Sequence, residues 1–408
     1  MEELLSLDIR EQTVKIQQNR IAAVRHRDSQ QLVARCFAGG QVQTAVAIGK
    51  VAADSLIQQA KEASATALSC SYALPPVASY QKNLVRERGL ERFVPYVKQA
   101  LDFLQERVPD FIFSGSLRSS LIKRRLWNSA GLDLEVEYGT NDWILLFKHG
   151  GSATIFDGGF EYSEDEGVSI LETCAAYLPL LDTWNSPADL PGNRVPVAFI
   201  TPEVLLDKLG QSLRIDCYSN GSALFSGRSG EALFSQDFGL ADVNFDPARG
   251  IVAPFDGEGV LHESPFLPLI DQGIIKNLIA DLRNGTKYGV PSTGNGQRTI
   301  GKGVSLDFNA LVIRHGSRPY RELLGQLPAC IVATLLMGGD TTDDGYFSCP
   351  VQLAFLSRHG EIVGRLPSFT VGGTLQEIFG SRLLGISCDG FGAGARNPVV
   401  FAELSIDR

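Results

Sequence analysis

One stretch, residues 251–303, constrains the fold more than any other. It opens Val252-Ala-Pro-Phe-Asp-Gly-Glu-Gly-Val260 and ends near Pro291-Ser-Thr-Gly-Asn-Gly-Gln-Arg298. Between them lie two short apolar runs around Asp271-Gln272-Gly273. Gly and Asp in a tight turn between apolar runs predict a β-hairpin. The flanking pieces are dense in Gly, Asp, Glu, Ser, Thr and Asn, as site-forming loops are. A chain with such a segment cannot be all-helical there.

The residues before it predict an α+β N-terminal domain over 1–190. Thr13–Gln17 and Arg20–Arg25 alternate apolar and polar at period two, as half-buried strands do. Gly39-Gly40 turns Cys36–Phe37 into Val42–Ile48. Residues 50–68 and 91–108 carry apolar residues at helical spacing, and Pro109 stops the second run. Strands are expected at 111–116, 119–127, 132–138 and 143–148, with a turn at Asn128-Ser-Ala-Gly131. A helix follows over 165–181, its acidic start suited to a helix N-terminus. Residues 184–193, with Pro187 and Pro191, read as a linker.

The second domain, 191–408, is expected to be β-rich, barrel- or sandwich-like. It starts with a strand at 195–200. Thr201-Pro202-Glu203 then predicts a helix over 202–214, with Thr as N-cap and Pro at the first helical position. Short strands are expected at 311–314, 329–336 and 398–405, and helices at 320–327 and 374–384. A hairpin is expected about His359-Gly360, between 352–356 and 361–366.

Composition narrows the function. At 408 residues and 44% hydrophobic, the chain can bury one large core or two ordinary ones. A net charge of −9 argues against phosphate-backbone binding, so no nucleic-acid partner is expected. No stretch is long and apolar enough to cross a bilayer, and no export signal opens the sequence. The seven cysteines are dispersed without a CxxC, which fits reduced thiols and a cytoplasmic setting. The five histidines lie more than a helical turn apart, so none builds a local metal site with another.

Phe255-Asp-Gly-Glu-Gly-Val260, the Asp-x-Gly hairpin and Ser292-Thr-Gly-Asn295, in that order, resemble the C-terminal half of the TldD/PmbA family. Asn128-Ser-Ala-Gly131 matches the family's Asn-Ser-x-Gly turn, and the loop at 338–348 is similar to its Thr-Gly-Asp-Phe-Ser loop. The family begins with a helix before its first strands, and here that helix is missing or shortened. The resemblance implies a protein linked to proteolysis. In the catalytic branch, TldD, a His-Glu-x-x-x-His helix and a later Cys hold zinc. Here Asp207, Lys208 and Ser212 stand where His, Glu and His would be, and a lysine would repel a dication. Cys388 lies a few residues before the ligand position and reads as a small buried residue beside a Gly turn.

The resemblance therefore implies the metal-free branch, PmbA or TldE. Such a chain is a non-catalytic subunit of a TldD/TldE-type metalloprotease that degrades unfolded peptides. No cofactor is expected in this chain; zinc is expected in a TldD-like partner. The alternatives are a stand-alone homodimeric peptide-binding protein and a metal-independent hydrolase. Asp256, Glu258, Ser292, Thr293, Gly294 and Asn295 are the peptide-positioning candidates, rather than catalytic residues.

His262-Glu263 begins like a zincin motif, but two prolines follow and no second His does. Asp340–Ser348 lacks calcium-loop spacing. Gly390-x-Gly-x-Gly394 does not sit between a strand and a helix as a dinucleotide loop must.

Overall fold

The computed structural model describes residues 1–63, 68–75, 77–85, 92–164, 170–298, 303–392 and 395–407, without the side chains of 161–164. Strands dominate. The N-terminal sheet has eight strands: β1 (Glu2–Gln17), β2 (Arg20–Ala38), β3 (Gln41–Ile48), β4 (Leu68–Ser69), β5 (Ser79–Asn83), β6 (Phe111–Asn128), β7 (Asp133–His149) and β8 (Gly158–Glu164). Its order is β4-β3-β2-β1-β6-β7-β5, with β8 also on β7.

The strands are longer than the sequence pattern predicts. Residues 111–116 and 119–127 form one strand, as do 132–138 and 143–148. The β6–β7 pairing runs from Phe111↔His149 to Trp127↔Asp133 without a slip. β1 begins at Glu2. β1 and β2 turn through Gln18 (φ 50°) and Asn19 (φ 64°), a left-handed pair of the kind that closes a two-residue hairpin. Residues 22–28 of β2 lie mostly in solvent, so the core imposes no alternation on them.

Three helices cover this sheet: α1 (Ala53–Glu62), α2 (Phe93–Arg107) and α3 (Ile170–Asp182). α1 is shorter than the 50–68 pattern, and the expected first turn of α3, 165–169, lies outside the described residues. Leu56, Ile57 and Ala60 of α1 are buried, as are Val97, Leu101 and Leu104 of α2.

The C-terminal region is built on a closed barrel of five strands: Arg194–Phe199, Val400–Asp407, Phe369–Thr374, Tyr346–Arg358 and Cys330–Leu336. It closes because Tyr346–Arg358 pairs along its first half with Phe369–Thr374 and along its second half with Cys330–Leu336. Closure removes open edges from these strands. Both faces are buried. Val197, Phe199, Ile331 and Val400 join one core cluster, while their neighbours Ala198, Ile200, Val332 and Phe401 join a second. That second cluster also contains the buried faces of α2, α3, β6 and β7. One continuous core therefore spans the expected linker, whose Ala188 amide donates to Arg365 O at 2.9 Å.

The expected helix 202–214 is broken. It is a 3-10 turn at Pro202–Leu205, then α4 (Asp207–Ser212), then α5 (Ile215–Asn220). Thr201 makes no side-chain cap bond. Burial of Leu205, Leu206, Leu209 and Leu213 holds the segment instead. The expected helix 374–384 is one turn, Leu375–Ile378, capped by the Thr374 hydroxyl. Both hairpin turns form as predicted in type: Gln272-Gly273 has φ of 49° and 75°, and His359-Gly360 has 49° and 89°. Among the described residues no helix is long and apolar enough to cross a membrane. All seven cysteines are unpaired.

Candidate functional site

The sequence candidates converge beside the barrel, against the N-terminal sheet. Asp256 is fully buried, yet its carboxylate is surrounded by backbone donors. Oδ1 accepts from the amides of Glu258 (2.8 Å) and Val260 (2.9 Å), and Oδ2 accepts from Gly296 N (2.9 Å). Burial pushes its pKa up, and these three bonds oppose the shift. Gly257 N donates back to Gly296 O at 2.7 Å. A Cβ on Gly257 would lie 2.6 Å from Arg298 N and Gly296 O, so only glycine lets the two loops lace this closely.

Glu258 is bound differently. Its Oε2 accepts from Leu282 N at 2.8 Å, at the start of the helix Leu282–Tyr288. Asp281 caps the same helix by accepting from Asn284 N at 2.7 Å. Glu258 Oε1 is buried without a hydrogen-bond partner among the described residues. Burial first, then the Asp256 charge, pushes the Glu258 carboxyl up to about 7. It is the one candidate with an uncommitted polar atom.

Ser292, Thr293 and Asn295 turn inward. Ser292 Oγ donates to Ala280 O (3.1 Å), and Thr293 Oγ1 accepts from Ala280 N (2.8 Å) and reaches Asn295 Oδ1 (2.6 Å). Gly294 has φ 78°, and a Cβ there would come 2.4 Å from the His262 ring. Asn295 is fully buried and donates to Asp242 Oδ2 (2.6 Å) and Asp307 O (3.0 Å).

This leads to residues that the sequence reading passed over. Asp242, also fully buried, accepts from Ala310 N (2.9 Å) and Asn309 Nδ2 (3.3 Å). Burial lifts it to about 6 against those bonds. Burial, and then the Arg124 charge, pushes His262 down to about 4 and favours its neutral form. No motif marks Asp242, because its partners lie 53 to 68 residues away, or Asn309, which bonds Asp242 across 67 residues.

The N-terminal sheet supplies the other wall. Arg298 Nη2 meets Glu3 Oε1 on β1 at 2.7 Å, and Arg35 on β2 reaches the same oxygen at 3.6 Å. Arg35 also donates to the Tyr72 hydroxyl (3.1 Å), which burial pushes up to about 12. Arg124 on β6 lies 4.8 Å over the Phe255 ring.

The helix positions set aside for metal ligands do not form a zinc donor set. Asp207 is exposed. Lys208 Nζ binds Asp343 Oδ1 at 2.7 Å. Ser212 Oγ donates to Lys208 O (2.8 Å) and accepts from Leu224 N (3.1 Å). An ammonium, an internally bonded hydroxyl and a solvated carboxylate do not fit a zinc ion. Cys388 is exposed rather than buried as expected: its amide and carbonyl bond Arg318 O (2.7 Å) and the His315 ring (2.9 Å), which fixes the backbone and leaves the thiol outside the core. Among the described residues no three His, Cys, Asp or Glu side chains gather in a metal-binding group. Of the Gly390–Gly394 run, residues 393–394 lie outside the described residues.

Comparison with known proteins places this architecture. The family described as PmbA/TldA metallopeptidase C-terminal domain matches residues 195–400. An uncharacterized protein of Methanocaldococcus jannaschii is 21% identical over 332 residues, 73% of this chain and 76% of its own. The crystal structure of TldE from Thermococcus kodakarensis superposes with a TM-score of 0.87 at 19% identity, covering 100% of this chain and 96% of that one. A putative modulator of a DNA gyrase from Thermotoga maritima gives 0.79 at 16% identity, covering 99% and 95%. At these identities the structural matches establish a shared fold.

Proposed function

The chain belongs to the TldD/PmbA metallopeptidase family, and on that premise we propose that it is the metal-free, TldE-like subunit of a TldD/TldE-type protease. One observation carries the reading. On the segment where the catalytic branch places its zinc ligands, Lys208 is engaged with Asp343 and Ser212 is engaged with backbone. The segment serves packing and not metal chemistry.

In this reading a TldD-like partner brings zinc and the general base. This chain contributes the wall that holds an unfolded peptide near it. The loop cluster suits a positioning role. Asp256 and Asn295 fix the course of residues 292–298 from beneath, and Ser292 and Thr293 keep partial exposure at the surface. An extended peptide held against such a loop is bound chiefly through main-chain bonds, which tolerate varied sequences.

The test is peptidase activity on an unstructured peptide, for this chain alone and mixed with a metal-bearing relative, with metal content measured in both. Activity only in the mixture, with zinc in the partner, supports the reading. Chelator-sensitive activity from this chain alone overturns it. Chelator-resistant activity from this chain alone would move the assignment to carboxyl chemistry at Glu258.

A further inference from the structure

We propose that the cavity between α3, the outer face of the barrel and the helix Tyr320–Gln326 binds a single amino acid with a large apolar side chain, through that side chain and its α-carboxylate. The cavity measures about 390 Å³. That is near the lower end of small-molecule sites, roughly 300–1,000 Å³, and suits one amino acid. It draws on none of the loop-cluster residues described above.

Small residues keep the space open. Ala176 of α3, Ala198 of the barrel and Gly360 of the hairpin turn line it where larger side chains would fill it. Gly360 has φ 89°, and a Cβ there would meet Gly325 Cα at 3.1 Å, so that corner stays small. The apolar wall is held by packing. Phe391 sits edge-on to Tyr177 with centroids 4.9 Å apart, and Tyr320 lies 5.5 Å from Phe391. Tyr320 is anchored in turn, its amide donating to Asp389 Oδ1 at 2.7 Å. A preformed apolar pocket of this kind suits an aromatic or branched side chain.

Charge at the mouth defines the other half of the ligand. Arg321 and Glu361 both line the cavity and are exposed. Arg321 Nε donates to the Tyr320 hydroxyl at 3.1 Å, which aligns the guanidinium over the aromatic wall. A guanidinium fork there suits a carboxylate. Glu361 suits an ammonium group beside it. An apolar body, a carboxylate and an adjacent ammonium together describe a free hydrophobic amino acid. The C-terminal residue of a peptide offers the same body and carboxylate without the ammonium.

Calorimetric titration of the full chain tests this with L-phenylalanine, L-phenylalaninamide and the tripeptide Gly-Gly-Phe. Both carboxylates are expected to bind about tenfold more tightly than the amide, the range of one charge-assisted bond. Tighter binding of L-phenylalanine than of Gly-Gly-Phe supports the free amino acid; the reverse order overturns that assignment in favour of a peptide end. Arg321→Gln should erase the preference for acid over amide. Ala176→Phe should fill the cavity and abolish binding, with its thermal midpoint confirming that it folds. Should that variant fail to fold, Ile362→Trp at the half-buried wall replaces it. The proposal is overturned if neither carboxylate binds, if the amide binds equally well, or if filling the cavity leaves binding unchanged.

Discussion

Arg298 donates from Nη2 to Glu3 Oε1 at 2.7 Å, although 295 positions separate the two residues in the chain. Both side chains are almost wholly buried, at 2% and 0% exposure. The contact joins the first strand of the N-terminal sheet to the loop that carries the candidate site. A buried pair of this kind is costly to break from one side, because the remaining charge stays out of water.

Arg298→Met is therefore expected to lower stability by about 3–5 kcal/mol. The double variant with Glu3→Gln should lose clearly less than the sum of the two single losses. Urea unfolding of all four proteins measures the coupling. Additive losses would mean that Arg35, at 3.6 Å, already satisfies Glu3.

Glu258 gives a pH dependence. Its carboxyl is raised from an ordinary 4.5 to about 7 in the folded chain. The folded state thus holds this proton more tightly, and the stability it contributes below pH 4.5 is lost as pH rises through 7. That interval corresponds to roughly 3 kcal/mol. Asp242, raised to about 6, acts in the same direction, while His262, lowered to about 4, contributes stability above pH 6.5 that is lost as pH falls. These opposing groups overlap between pH 4.5 and 6.5, so whole-protein profiles blur the effect. Glu258→Gln isolates it: the variant should match wild type near pH 4 and exceed it at pH 8 by roughly 3 kcal/mol. An unchanging difference across that range would refute the shift.

Gly257→Ala should cost more than about 2 kcal/mol, since the new methyl meets backbone that cannot swing aside. Its nearest atoms, Arg298 N and Gly296 O, are both 2.6 Å away. Gly303→Ala has no described residue within 4 Å of the added carbon and serves as the control. Thermal unfolding of both compares them directly.

Ser212→Ala removes the acceptor for Leu224 N and should cost about 1–2 kcal/mol. Because Ser212 is assigned to packing, peptide cleavage by the assembled pair should persist at temperatures where the variant is folded. Lost cleavage with intact folding would place Ser212 in the chemistry.

The turn signals in the sequence held, while the N-cap signal at Thr201 did not. Gly39-Gly40, Gln272-Gly273 and His359-Gly360 all adopt positive φ at hairpin turns. Amphipathic spacing located α2 within two residues at its start. Spacing failed where tertiary contacts override it. The Leu-rich run after Pro202 reads as one helix, but the core accepts three short ones. Strand lengths were misjudged for the related reason that β6 and β7 hold each other through residues whose own pattern is broken at Gly139–Asp142.

The sequence by itself determined the turn positions and the family, because each depends on residue types in a short, ordered run of the chain. Tertiary structure alone decided what the polar candidates do. Asp256 and Asn295 read as peptide-positioning loop residues, yet folding buries both and ties each to a distant partner, Gly296 N and Asp242 Oδ2. Glu3, Arg35 and Arg298 carry no mark in the sequence: β1–β2 pairing sets Arg35 opposite Glu3, and only packing of the N-terminal sheet against the 292–298 loop brings Arg298 to them. A carboxyl's ionisation depends on how much water the fold removes from around it, so the raised pKa of Glu258 belongs to the tertiary structure and not to its motif.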